Sequence, residues 1–232
     1  MIDMHAHCLP FIDDGADSLE TSLKMLENAK INGADIVVST PHCVLRKIDI
    51  NTFLNNRQKS YDVVMEQISR NPEKYPVLRL GAEVFLDSDL SDTEYIEDLC
   101  YEGTKYILLE MDPRISCSVL SEWVYNFTIN GLKPVIAHID RFDNREKLMY
   151  ELNGIDVVYQ INASRFLSLF SKSKLKKILN NGTRFVVSSD MHNLDKRPFN
   201  LHLAMKMAHR FFNNEMCYDM FDNCARNIIF GK

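Results

Sequence analysis

Residues 105–138 read KYILLEMDPRISCSVLSEWVYNFTINGLKPVIAH, and the fold follows from this stretch. An apolar run, Lys105–Glu110, gives way to a helical pattern over Val119–Asn130. Gly131 supplies a turn free of Cβ, and a second apolar run, Lys133–His138, follows at once. Strand, helix, strand in that order implies parallel strands with the helix packed outside. Each run also closes on a side chain that can bind a cation: Glu110 in the first, His138 in the second.

Working outward, the same unit repeats in both directions. Seven apolar runs read as strands: Ile2–His7, Asp35–Thr40, Val77–Val84, Lys105–Glu110, Lys133–His138, Asp156–Asn162 and Thr183–Asp190. The second, DIVVST, is apolar on both faces, as a buried parallel strand should be. Helical patterns fill Ser18–Asn32, with Ser18 as N-cap, then Asn51–Arg70, Asp92–Glu102, Val119–Asn130, Arg145–Leu152 and Lys172–Asn180. Two more, Asn200–Phe212 and Tyr218–Ile228, complete the chain. Gly33, Gly103, Gly131, Gly154 and Gly182 each precede a strand. With no linker or composition break, residues 1–232 are expected to form one α/β barrel-like domain.

Composition narrows the function. Lys plus Arg is 27 and Asp plus Glu is 32, a net charge of −5, which disfavours non-specific nucleic-acid binding. No signal-type leader and no apolar run of membrane-spanning length is present, so a soluble, cytoplasmic protein without membrane insertion is expected. The six cysteines form no CxxC pair and read as free thiols.

Six of the seven strand runs end on cation ligands. These are His5 and His7, His42, Glu83, Glu110, His138, and Asp190 with His192; Asp14 lies in the loop after the first strand. In a parallel barrel all these ends meet at one rim. Residues i and i+2 of a strand point the same way, so His5 with His7 and Asp190 with His192 can each grip one ion. An unpaired buried carboxylate costs several kcal/mol, and cations at the rim remove that cost for Glu83 and Glu110 together. Nine ligands are too many for one ion, so a cluster of two or three is expected. Imidazole mixed with carboxylate suits Mn²⁺, Fe²⁺ or Zn²⁺ better than Mg²⁺ or Ca²⁺. Such clusters activate water for hydrolysis. His202 and His209, seven apart on an amphipathic helix, read as ordinary helix-face residues.

Arg141 and Arg197 fall on loops just past His138 and His192, where a guanidinium fork can bind phosphate oxygens; Arg46 is a weaker third candidate. Other phosphatase and hydrolase signatures are missing. No cysteine has an arginine six positions later, and there is no GxxxxGK[ST] loop or GxSxG elbow.

The segments MIDMHAHCLPFIDDGADS (1–18), STPH (39–42), GAEVFLD (81–87), LLEMD (108–112), IAHIDRF (136–142) and SSDMHNLDKRP (188–198) carry a further signal. Together they resemble the polymerase and histidinol phosphatase (PHP) superfamily, most closely its bacterial manganese-dependent tyrosine-protein phosphatases of capsule and exopolysaccharide loci. The resemblance implies a distorted, TIM-like barrel of seven strands. It implies a site of three ions, Mn²⁺ foremost with Fe²⁺ or Zn²⁺ as alternatives, held by His5, His7, Asp14, His42, Glu83, Glu110, His138, Asp190 and His192. It assigns phosphate binding to Arg141 and Arg197. Its implied substrate is a tyrosine-phosphorylated protein, a bacterial tyrosine kinase of polysaccharide export, hydrolysed by metal-activated hydroxide. A small-molecule phosphomonoesterase such as histidinol-phosphate phosphatase, a nuclease or proofreading module, and a non-catalytic kinase-docking scaffold stand as alternatives.

Overall fold

Ile2–Ala6 (β1) alternates bulky apolar Ile2 and Met4 with polar Asp3 and His5, and all five residues are buried. Burial on both faces requires that neighbours cover the strand on each side. A computed structural model describes residues 1–168, 172–179 and 183–231. It pairs β1 in parallel with Ile36–Ser39 (β2), which pairs in parallel with Val77–Leu80 (β4). A second parallel sheet runs in the order His42–Cys43 (β3), Glu83–Leu86 (β5), Tyr106–Met111 (β6), Lys133–Ile136 (β7), Val158–Asn162 (β8) and Arg184–Ser188 (β9).

One of the seven expected strands is therefore broken, and another, Asp35–Thr40, is followed by a short strand that was not foreseen. The run that ends at Thr40 stops before Pro41, which has no N–H to give a ladder, and β3 resumes at His42. The run Val77–Val84 breaks at Gly81–Ala82, and β5 begins at Glu83. Gly81 has little room for anything larger, since an added Cβ would lie 3.0 Å from the Tyr101 ring. The buried guanidinium of Arg57, on the helix Ile50–Arg70 (α2), donates to the Gly81 carbonyl at 2.8 Å and holds the break in place. The chain thus forms two parallel sheets rather than one continuous seven-stranded sheet. They meet at the rim in a single parallel bridge, Ala6 to Met191. There His7 N donates to Met191 O at 2.8 Å and Asp190 N to His5 O at 2.9 Å.

The helices follow the expected signals at most places. Ser18 caps Leu19–Ile31 (α1) by accepting from Thr21 N, and Ser116 caps Cys117–Ile129 (α3) by accepting from Val119 N. Arg145–Glu151 (α4) stands where expected, and Lys172–Leu179 accounts for its segment, whose last expected residue, Asn180, lies outside the described residues. The expected helix Asp92–Glu102 is only a 3₁₀ turn at Ile96–Leu99. A short helix at Ser164–Leu167 was not foreseen, and the two C-terminal helices divide into Leu201–Ala208, Asn214–Tyr218, a π turn at 219–223, and Cys224–Phe230. Gly131 sits at φ 80° before β7, as its turn requires; Gly182 lies outside the described residues.

The core separates by strand face. Ile107 and Leu109 join a large apolar cluster with the helix residues Leu26, Phe53, Leu120 and Phe127. Leu108 joins a smaller cluster with Val135, Val158 and Val186. Along β6 and β8, the next residues on this second face are Glu110, Gln160 and Asn162. The small cluster therefore floors a polar rim. All six cysteines are buried free thiols. Among the described residues no helix is long and apolar enough to cross a membrane.

Candidate metal centre

Glu83 is the hub of the rim. It is the first residue of β5, and its carboxylate is fully buried. Its Oε2 lies 3.1 Å from His5 Nε2, 3.2 Å from His7 Nε2 and 3.0 Å from His42 Nδ1, while Oε1 lies 2.6 Å from His138 Nε2. Donor atoms held about 2.1 Å from one ion are separated by roughly 3 Å, so these spacings match a ligand shell. Four overlapping groups collect around this hub: His7, Asp14, His42 and His192; His5, His7 and Asp190; His5, Glu83 and His138; His42, Glu83 and Glu110. All nine sequence-expected ligands fall within these groups. Asp14 is the most exposed of them, 3.4 Å from His42 Nε2 and 3.5 Å from His192 Nε2.

The imidazoles are oriented from behind. His7 Nδ1 donates to Asp13 Oδ2 at 2.6 Å, and His138 Nδ1 to Asn162 Oδ1 at 3.0 Å. His5 Nδ1 faces Gln160 Oε1 at 3.3 Å, and His192 Nδ1 faces the Asp190 carbonyl at 3.0 Å. When a ring is neutral with its proton on Nδ1, its Nε2 presents a lone pair to the cluster. Among the described residues, the buried atoms Glu83 Oε2, Asp190 Oδ1 and His192 Nε2 have no hydrogen-bond partner. Buried polar atoms are nearly always satisfied, and these three point into one space. Such a donor set fits divalent cations, which supply the missing partner to all of them together.

Sequence reading missed the residues that do this orienting. Asp13 stood beside Asp14 in the DDG segment, and which of the two turns inward depends on the loop. Here Asp13 also accepts from His42 N at 3.0 Å and Gly15 N at 2.9 Å. Gly15 permits the loop to close, since an added Cβ would lie 2.1 Å from His7 O. Gln160 and Asn162 had a readable signal, two polar residues at i and i+2 in the apolar run VYQIN. Asn162 Nδ2 donates to Asp190 Oδ2 at 2.7 Å, and Gln160 Oε1 accepts from His138 N at 2.8 Å. His138 and Asp190 have φ of 48° and 55°, a left-handed backbone that is uncommon without glycine. Such outliers cluster at functional sites, because a strand end must turn to aim its side chain sideways.

Arg141 and Arg197 converge on one carboxylate oxygen. Their Nη2 atoms lie 2.8 and 2.6 Å from Asp190 Oδ2, and both side chains remain partly exposed at the mouth. Arg46 instead pairs with Asp87 at 2.9 Å, away from Asp190. His202 stacks on Phe199 and His209 contacts Asn214 Oδ1 at 3.1 Å, in keeping with helix-face roles.

A family model described as capsular polysaccharide synthesis, CpsB/CapC, matches residues 1–230. The chain belongs to the CpsB/CapC family. Among relatives, tyrosine-protein phosphatase CpsB of Streptococcus agalactiae serotype III is 30% identical, over 99% of this CpsB/CapC chain and 98% of its own length. Tyrosine-protein phosphatase CpsB of Streptococcus pneumoniae is also 30% identical, over 100% and 99%. Tyrosine-protein phosphatase YwqE of Bacillus subtilis is 28% identical, over 96% and 89%. A crystal structure from work on YwqE and S. pneumoniae CpsB, described as unique metal-dependent tyrosine phosphatases, superposes with a TM-score of 0.84. It is 23% identical and covers 99% of this chain and 94% of its own, which establishes the shared fold. A D-hydantoinase superposes at a TM-score of 0.52 and 10% identity, over 97% of this chain and 70% of its own, a more distant likeness of fold alone.

Charge in this CpsB/CapC site makes two measurable demands. Burial alone would push the His7 imidazole down, but the carboxylates of Asp13 and Glu83 beside it reverse this and carry it to about 10. Burial opposes the charge on His138 likewise, and Glu83 carries it up to about 9. Cations bind the deprotonated rings, so protons compete with them below these values. Cation affinity is therefore expected to rise from pH 6.5 towards pH 9, with proton release on binding. Calorimetric titration with Mn²⁺ in buffers of different ionisation heat measures both, and a pH-independent affinity with no proton release contradicts the charge assignment. Asp13→Asn removes the anion behind His7 Nδ1 while keeping its shape. Cation affinity should fall about 10–100-fold, the usual cost of losing an orienting partner, in the same titration.

Proposed function

We propose that this chain is a metal-dependent protein-tyrosine phosphatase that works as one domain over residues 1–232. The observation that carries the reading is the set of lone pairs around Glu83: three buried atoms without partners, beside four imidazoles whose Nε2 faces inward. The names of the full-length relatives support phosphotyrosine as the substrate and metal dependence as the mode. We read the broken strands β2–β3 and β4–β5 as single strands of a distorted seven-stranded barrel, drawn shut by the Ala6–Met191 bridge.

In this reading His5, His7, Asp14, His42, Glu83, Glu110, His138, Asp190 and His192 hold three divalent cations, with Mn²⁺ the first choice for a mixed imidazole and carboxylate shell. When bound, such ions lower the pKa of water and offset the charge of a phosphoester. The remaining work belongs to the chain. Arg141 and Arg197 donate to the non-bridging phosphate oxygens and stabilise the charge that develops as phosphorus is attacked. Asp13, Gln160 and Asn162 keep the imidazole protons on Nδ1, so that Nε2 stays available. Water oxygen forms the new bond to phosphorus, the bond to the tyrosyl oxygen breaks, and tyrosine and inorganic phosphate leave. A phenol of pKa near 10 departs with little acid help, which suits a rim without an obvious proton donor. The protein substrate is read as a tyrosine kinase of polysaccharide export, in line with the capsular family. Six buried free thiols fit a reducing cytoplasm.

The test is turnover of a phosphotyrosyl peptide and of histidinol phosphate by chelator-treated protein, with and without added Mn²⁺, alongside elemental analysis. Mn²⁺-dependent turnover favouring the peptide is expected. Metal-replete protein that leaves the peptide intact refutes the assignment.

A further inference from the structure

A cleft opens beside the metal centre, bounded by Glu110, Met111, Pro113, His138, Arg141 and Phe142. Its two ends differ in chemistry. Glu110, His138 and Arg141 belong to the site above, whereas exposed Pro113 and the mostly buried Met111 and Phe142 are apolar, with Asp143 beside them. We infer that this cleft holds the phenyl ring of the phosphotyrosyl substrate, so that Met111, Pro113 and Phe142 set the preference for aryl phosphoesters. The inference rests on the phosphatase reading and deepens it.

Three observations carry it. First, the cleft is continuous with the anion-binding end, because Arg141 and His138 line both. A phosphoryl group at Arg141 would therefore have Met111, Pro113 and Phe142 in the same cleft. Second, the walls are built in advance. Asp112 is clamped by Arg114, whose Nε lies 2.9 Å from Oδ1, and Ile115 N donates to Asp112 O at 3.1 Å, which fixes the turn carrying Pro113. Opposite, Arg141 N donates to His138 O at 2.7 Å, and both the backbone N and Nη1 of Arg145 donate to Phe142 O at 3.2 Å. A pocket fixed in advance binds without an added ordering cost. Third, the exposure of the residues favours a long flat side chain. Glu83 and Asp190 of the adjoining centre are buried, while Pro113 of the cleft is exposed. A tyrosyl phosphate reaches past the walls with its ring against them; a seryl phosphate must bring its backbone into the mouth. A second apolar groove, on the other flank at Phe11, Val44 and Ile48, borders Asp13 and His42 but lacks Arg141.

The decisive experiment is a crystal structure of the metal-loaded protein with phenylphosphonate. The ring is expected against Met111, Pro113 and Phe142. A ring in the Phe11 groove, a ring in solvent, or no binding overturns the inference. Kinetics supply the second arm. Phe142→Ala, checked for an unchanged fold by circular dichroism, should lower the ratio of kcat/KM on phenyl phosphate to that on glycerol phosphate roughly tenfold, the scale of a lost apolar contact. Comparing the ratio with that of wild type removes the intrinsic difference between leaving groups. An unchanged ratio overturns the inference. Wild-type protein that hydrolyses neither ester sinks the phosphatase reading instead, and the phenylphosphonate structure then still judges the cleft.

Discussion

Glu83→Gln is expected to strip the protein of metal and of activity together. Its carboxylate lies close to four imidazoles, with three nitrogens at 3.0–3.2 Å from Oε2 and a fourth at 2.6 Å from Oε1. Burial raises the cost of a charge here, yet His5 and His138 hold the Glu83 carboxyl well below its usual range. The carboxylate form is thus the favoured one. The amide keeps the shape and removes the charge. It also turns an N–H donor towards rings whose lone pairs face inward, or towards the cations themselves. Losing several kcal/mol of cation stabilisation corresponds to a fall in kcat of about 10³-fold or more. Elemental analysis should find the metal content well below wild type, and a phosphotyrosyl-peptide assay should find near-background turnover. Full metal content with normal turnover would remove Glu83 from the centre.

Arg141→Ala separates substrate binding from metal binding. Arg141 reaches the centre through Asp190 Oδ2, which Arg197 and Asn162 also contact. Asp190 therefore keeps two partners after the substitution, and metal content should hold. What is lost is a charged fork at the mouth. Removing one such donor typically costs about 10²–10³ in rate, and kcat/KM on the phosphotyrosyl peptide should fall by that factor. Arg141→Lys should recover only part of it, because an ammonium supplies charge without the two-pronged geometry. Unchanged kinetics in Arg141→Ala would show that Arg197 alone holds the phosphate.

Much of this was written in the primary sequence, for definite reasons. Strand ends were legible because parallel strands are short, apolar and preceded by glycine turns, and a ligand at the far end breaks the apolar pattern visibly, as Glu110 does after YILL. The break at Gly81 was not drawn out, since a strand split by one turn keeps its hydrophobicity on both sides, and the two-residue strand His42–Cys43 past Pro41 is too short to leave a pattern. The expected helix at Asp92–Glu102 failed for a local reason. Tyr95 adopts a left-handed φ of 63°, which interrupts an α-helix and leaves one 3₁₀ turn. Asp13 could not be told from Asp14 by pattern, because loop direction depends on the contact of Gly15 with His7. Arg57 read as one more polar residue of a long helix, and only the fold brings it under the Gly81 carbonyl.

The meeting of the first and last strands has a consequence for biosynthesis. Asp3 and Ser189, 186 positions apart, are hydrogen-bonded, and the donors on either side of them come from opposite ends of the polypeptide. A ribosome adding about 5–20 residues per second needs roughly ten to forty seconds between His7 and His192. Throughout that interval the nascent chain offers an incomplete set of ligands. On the proposed reading, ions would then be selected by the finished molecule from whatever the cell holds free at release, and the ion found after expression would report the supply in that host as much as the preference of the protein.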